Sequence, residues 1–234
     1  ELIWAIRHNQ QQKGCSIIQG MSQEQLSLEG NRALTDSLIF QTKKISQALI
    51  QRISPPNLSI QNCTGSTVLM KAIAWNQREG FEDLLQKIAP DQLALSDNWG
   101  NTALMEAIKF NRQEFATVLI QKMNPQHLAL RNIHGETALM IGIDFKCSEE
   151  IIQALIQRMT LEQLSLQDET GTTALSRAVQ KDQRSIAKAI QNKLSCRTLA
   201  IGCIQPNPDS PLYRSFERSS LREPRALALV REFL

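Results

Sequence analysis

The sequence has no run of basic residues, no apolar stretch approaching a membrane span and no CxxC pair. Its formal net charge of +3 over 234 residues is weak and dispersed. Nothing marks the electrostatic footprint of a nucleic-acid binder, and no membrane insertion is expected. The five cysteines, at 15, 63, 147, 196 and 203, are odd in number and show no metal-site spacing. That pattern favours free thiols in a reducing, cytoplasmic setting over a disulfide framework or a zinc site. HExxH, G-x-S-x-G and P-loop motifs are absent. His8, His127 and His134 fall at non-equivalent places. The chain is therefore read as a non-enzyme, with no catalytic residues, no cofactor and no metal expected. No signal peptide is visible, and the first residue is Glu1 rather than Met. The expectation is a processed or cut end, with sequence missing upstream.

What the sequence has instead is a period. "GNTALMEAIKF" from Gly100 recurs as "GNRALTDSLIF" from Gly30, "GSTVLMKAIAW" from Gly65, "GETALMIGIDF" from Gly135 and "GTTALSRAVQK" from Gly171. The spacings are 35, 35, 35 and 36, with the extra residue between Phe145 and Ile151. A second block follows each first one: "ISQALIQRI" (45–53), "FEDLLQKI" (81–88), "FATVLIQKM" (115–123), "IIQALIQRM" (151–159) and "IAKAIQNKL" (186–194). Apolar residues in both blocks recur at three and four, which predicts two short amphipathic helices per unit. The connectors "LSI" (58–60), "LAL" (93–95), "LAL" (128–130) and "LSL" (164–166) alternate apolar and polar, which predicts short extended arms. Residues 2–21 lie over 104–123 without a gap, so the period reaches the start of the chain. "SPLYRSFER" (210–218) sits where another first helix is due, and "RALALVREFL" (225–234) near its end.

The repeated G-x-T-[AV]-L-M-x-A, complete at Gly65 and Gly100, resembles the signature of the ankyrin repeat family. The resemblance covers nearly the whole chain and implies an all-α solenoid of about seven stacked repeats with a concave groove. The units run 1–25, 26–57, 58–92, 93–127, 128–163 and 164–198, with a degenerate seventh at 199–234. The family's Pro is replaced by Ala33, Val68, Ala103, Ala138 and Ala174, only Pro211 keeping it, and its His by Met70, Met105 and Met140. The physical roles agree with such a unit. Each repeat glycine suits a tight turn of positive φ. Thr67, Thr102, Thr137 and Thr173 are placed to cap the first helix, and Arg32 breaks that row. Leu34, Leu69, Leu104, Leu139 and Leu175 begin a buried face. Ser37, Ala72, Ala107, Gly142 and Ala178 let helices approach closely. Asn9, Asn76 and Asn111 tolerate a left-handed link between the helices. The methionine row is expected to fill core.

In the family the groove is the usual partner-binding surface. The column six residues after the repeat Leu reads His8, Phe40, Trp75, Phe110, Phe145, Lys181 and Arg218. At about 110° from the centre of the buried face, its rings either fill gaps between helices or line the groove, or do both. Trp99, Ile133 and His134 precede the turn glycines, where solvent is expected. Trp99 either folds back over its neighbouring turn or serves as a hot spot beside the groove. Lys109 and Asp144 belong to the row Ile39, Ala74, Lys109, Asp144, Gln180. With Glu106 and Arg177 that row forms a mixed, solvated face that serves solubility or specificity. The candidate partner-binding set is therefore Phe40, Trp75, Trp99, Lys109, Phe110, Ile133, His134, Asp144 and Phe145.

The leading expectation is a monomeric protein-interaction module. One alternative is a methyl-lysine reader caged by Trp75, Trp99 and Phe110. Another is the targeting arm of a larger enzyme. The "LIQKM/LIQRM" endings and connectors such as "MTLEQLSLQDETG" are also similar to ankyrin effectors that intracellular bacterial pathogens deliver by type IV secretion. That resemblance implies a host protein as partner and the host cytosol as the place of action.

Overall fold

The computed structural model describes residues 1–201, with side chains as far as Ser195. The expected seventh repeat, with Pro211 and Arg218, lies almost wholly outside the described residues. Helices follow one another in pairs: α1 (Leu2–Arg7) and α2 (Gln11–Gly20), then α3 (Gln23–Ile39) and α4 (Lys43–Arg52). A short turn, α5 (Pro55–Leu58), leads to α6 (Val68–Ala74) and α7 (Arg78–Lys87). Then come α8 (Ala103–Lys109) with α9 (Gln113–Lys122), and α10 (Ala138–Asp144) with α11 (Glu149–Arg158). The short α12 (Leu161–Leu164) precedes α13 (Ala174–Gln180) and α14 (Arg184–Ile201).

The first helices α1, α3, α6, α8, α10 and α13 pack in that order into one layer, and their partners form a second layer behind it. The described chain is thus a helical repeat solenoid. Among the described residues β pairing is confined to isolated bridges at the turns, Ser96–Thr102, Arg131–Thr137 and Gln167–Thr173.

The buried face is the expected one. Leu34, Leu69, Leu104 and Leu139 are buried, while Leu175, near the end of the described stack, is half-buried. Ser37, Ala72, Ala107, Gly142 and Ala178 are all buried, so the first helices meet without a large side chain between them. Met70, Met105 and Met140 are core. Phe81 and Phe115 stack at 4.4 Å and join two second helices across a repeat boundary. Each of Thr67, Thr102, Thr137 and Thr173 accepts a bond from the backbone N–H three residues on, as an N-cap does. The helix-to-helix link carries positive φ at Asn9, Gln41, Asn76, Asn111, Lys146 and Asp182. The inserted residue of the fifth unit lies in this link, which runs from Phe145 to Ser148.

Two expectations are corrected. The connectors are not extended arms: they open with the helical turns α5 and α12 and with 3-10 turns at Pro90–Ala94 and Pro125–Ala129. Leu58, Leu93, Leu128 and Leu164 point inward from these turns, which a single helical turn satisfies as well as an alternating arm. Gly30 does not form a tight turn either. Ser22 and Gln25 make a reciprocal capping box, so the helix starts at Gln23, well before the place of the sister caps, and runs through Gly30 as one 17-residue α3. Arg32 offers no capping hydroxyl to begin a helix later.

A further regularity ties the second layer together. Basic residues of four second helices, α4, α7, α11 and α14, reach back to the carbonyls that end the preceding one. Arg52 Nη2 donates to Met21 O (2.9 Å), Lys87 Nζ to Gln51 O (2.6 Å) and Arg158 Nη2 to Met123 O (2.9 Å). Lys193 Nζ donates to Gln157 O and Met159 O, both at 2.7 Å. These carbonyls have no partner within their own helix, and a cation suits the negative end of the helix dipole.

Candidate functional site: a ladder of turns and a row of helix ends

Each turn is built on one Asx side chain. Asn62, Asp97, Asn132 and Asp168 stand three residues before the glycines at 65, 100, 135 and 171. In each, Oδ1 accepts from the backbone N–H groups two and four residues on. The glycines take φ of +73° to +78°, open to them because they carry no Cβ. Successive turns then bond tip to tip: Asn98 N–H to Thr64 O (3.1 Å), Ile133 N–H to Trp99 O (2.9 Å) and Glu169 N–H to His134 O (3.1 Å). This ladder presents Trp99 and Ile133 half-exposed, at 52% and 50%. His134 is solvated, 4.0 Å from Glu169.

The aromatic column sits at the other end of the first helices. Phe40, Trp75, Phe110 and Phe145 are each the C-cap, one residue before the left-handed link. Phe40, Phe110 and Phe145 are 44%, 46% and 57% exposed, whereas Trp75 packs partly against the core. Trp99 and Phe110 are therefore not neighbours. The seven-residue α8 lies between them, a rise of about 10 Å. A cation cage needs its rings within about 6 Å of one charge, and Trp75, Trp99 and Phe110 are not brought together in that way.

The row expected to be a solvated face is largely committed to internal bonds. Lys109 Nζ donates to Asn101 Oδ1 (2.6 Å). Glu106 is half-buried, and burial pushes its carboxyl up against the opposing pull of Lys109. Arg177 is not solvated. Its side chain, 13% exposed, donates to Glu136 (3.0 Å), Asp144 and Asp168, while Lys181 stands 3.7 Å from Asp144. Burial pushes the Asp168 carboxyl up. Bonds from the Thr170 hydroxyl, the Arg177 guanidinium and the Thr172 and Thr170 N–H groups outweigh that and hold it well below the usual carboxylate range. The row of Asx residues and this four-residue cluster were missed in the sequence. The Asx row was visible in the 35-residue register, but the cluster was not, because its members come from two repeats.

Among the described residues no group of three or more His, Cys, Asp or Glu is arranged to hold a metal, and no helix is long and apolar enough to cross a membrane. Residues 47–131 and 84–162 match the family model described as ankyrin repeats (3 copies). By this match and by its fold, the chain belongs to the ankyrin repeat family, whose repeats are protein–protein interaction modules. Comparison with curated proteins finds no match. Among solved structures, the crystal structure of EF0377, an ankyrin repeat protein, is similar at a TM-score of 0.65 and 23% identity, covering 81% of this chain and 96% of that one. With 335 solved chains matching, the fold is too widely shared to name a partner.

Proposed function

We propose that the chain binds a partner protein along the first-helix layer, with Phe40, Phe110 and Phe145 as apolar anchors. The observation that carries this is the exposure of three phenylalanines at equivalent helix ends. Inside one solenoid layer they form a row about 25–30 Å long, taking helix spacings of 8–10 Å per repeat. Half-exposed aromatics gain little for the fold and supply large, rigid contact area to a partner. Trp99, Ile133 and His134 form a second, separate contact line on the turn tips. Asp144 and Lys109, already paired, shape the surface between the two lines. Trp75 supports the row from beneath. An effector role on a host protein rests on the repeat endings and the connectors, and the "LIQRM" ending has a structural reason in the strap that Arg158 makes.

The test compares affinity capture from a cytosolic lysate by wild type and by the triple variant Phe40→Ala, Phe110→Ala, Phe145→Ala. Exposed substitutions of this kind change stability little, so the variant should unfold at nearly the same urea concentration. A specific protein retained by wild type and lost by the folded variant supports the proposal. Retention of every captured protein by the folded variant overturns it.

A further inference from the structure

The turn ladder begins without its first member. The turns at 97–100, 132–135 and 168–171 each follow another turn, but residues 28–30 lie in α3, so none precedes the turn at 62–65. The difference shows in exposure. Asp97, Asn132 and Asp168 are buried, whereas Asn62, at the same place in its repeat, is exposed. Leu95, Leu130 and Leu166 are half-buried, whereas Ile60 is 47% exposed. It shows in the hydrogen bonds as well. Asn98, Ile133 and Glu169 each give their backbone N–H to the tip of the turn before, and Cys63 N–H, at the same place, has no acceptor among the described residues. Ser96 O accepts from Gln61 Nε2 (2.6 Å) and Gln167 O from Arg131 Nη2 (2.9 Å), and Gln61 O, at the same place, has no donor among them. Both open groups belong to exposed residues. Beside them, against α3, lies a cavity of about 300 Å³ walled by Arg32, Asp36, Ile60, Gln61 and Asn62, among others.

An open edge of paired backbone is a template for pairing with another chain. We infer that a tight turn of the partner protein fills this gap and becomes the first rung of the ladder. The sister contacts state its chemistry. Its tip carbonyl meets the open N–H of Cys63, as Thr64 O meets Asn98 N–H and His134 O meets Glu169 N–H (both 3.1 Å). Three residues before the tip stands a side chain with a planar donor, as at Gln61 and Arg131, and it meets Gln61 O. The residue after the tip is glycine, because a Cβ at Gly65, Gly100 or Gly135 would come within 3.0 Å of the backbone of the next turn. The partner turn therefore reads Gln/Arg-x-x-x-Gly, with its glycine seated against Asn62. It continues the line of Trp99, Ile133 and His134 at its early end. The inference rests on the proposed protein-binding role and adds to it a contact away from the phenylalanine row.

The experiment titrates the full ¹⁵N-labelled chain with a backbone-cyclised peptide copying residues 129–137, "ALRNIHGET", whose ring holds the turn formed. The expected result is a saturable shift of the backbone amides of residues 60–66, with slowed hydrogen exchange at the Cys63 amide. Two changes should each weaken binding about tenfold or more. One is Gly135→Ala in the peptide, which strains the turn and adds the colliding Cβ. The other is Cys63→Pro in the chain, which deletes the open N–H. Cys63 is the second residue of a turn closed by Gly65 N–H on Asn62 O (2.9 Å), a place that suits proline, so this variant should stay folded. Absence of a saturable shift, an unslowed Cys63 amide in the bound chain, or equal binding of the Gly135→Ala peptide overturns the inference. The triple phenylalanine variant should bind the peptide as wild type does. Its peptide binding tests the gap in the ladder and its protein capture tests the phenylalanine row, so either can fail without the other.

Discussion

Arg177, in α13, bonds Asp168 of the turn that opens the same helix, and with its remaining donors holds Glu136 and Asp144 of the repeat before. One guanidinium thus pins a turn to its helix and one repeat to the next. Replacing Arg177 by Gln should lower the urea stability of the chain by roughly 3 kcal/mol, because Asp168, whose side chain is 3% exposed, loses its charged partner. The depressed folded-state pKa of Asp168 sets the sign of the pH dependence. Its contribution is complete above the unfolded value of about 3.9 and falls away as pH drops below it. The difference between wild type and Arg177→Gln should therefore begin to shrink as pH falls below about 5 and go on shrinking as pH approaches the depressed folded-state value. An unchanged difference at the acid end would mean that charge pairing is not what Arg177 supplies.

Gly100 and Gly20 place opposite demands on the residue at their positions. At Gly100, φ is +76°, and an added Cβ would meet Asn132 Cα at 2.8 Å and its carbonyl carbon at 3.0 Å. Gly100→Ala should cost more than about 2 kcal/mol, from backbone strain together with a clash against another turn. Gly20 ends α2 in open space with helical geometry. Gly20→Ala should stabilise by about 0.5 kcal/mol. Urea midpoints moving in opposite directions would confirm the contrast.

Thr102 and Arg32 occupy the same place in the repeat and play different parts. Thr102→Ala removes an N-cap acceptor and should cost about 1 kcal/mol. Arg32→Thr restores the family letter inside a continuous helix, where no cap is needed, and should gain no stability. A gain of about 1 kcal/mol in that variant would mean that α3 is broken at Gly30 in solution.

Cys63 is exposed on a turn, whereas Cys147 is buried, with its thiol donating to Ile108 O at 3.8 Å and burial pushing its pKa up. A thiol reagent applied to the native protein, followed by peptide mapping, should label Cys63 quickly and Cys147 only on unfolding. Equal labelling of the two would show that the link around Cys147 opens readily.

The helix pairs, the threonine caps and the left-handed links at Asn9, Asn76 and Asn111 were legible in the period, because each depends on residues a few positions apart, whereas the same link at Gln41, Lys146 and Asp182 carries no asparagine to mark it. Phe110 shows where that reading stops. A helical angle places it on the edge of the buried face, but the angle assumes a helix that continues, and α8 ends at Lys109. The reading of Gly30 failed for a related reason. "GNRAL" differs from "GNTAL" only at Arg32, yet Ser22 and Gln25 upstream begin the helix first. The Arg177 cluster was beyond local reasoning, since its partners lie 9, 33 and 41 residues away.

The basic straps between second helices all point the same way. Arg52, Lys87, Arg158 and Lys193 each complete the helix of the repeat before their own. Where a strap is made, the repeats are therefore unequal neighbours: one lends to its predecessor and borrows nothing back. During synthesis, each of these four repeats would fasten the one already made. Unzipping would begin most readily from the late end, where a lost repeat leaves the carbonyls of the preceding one bare.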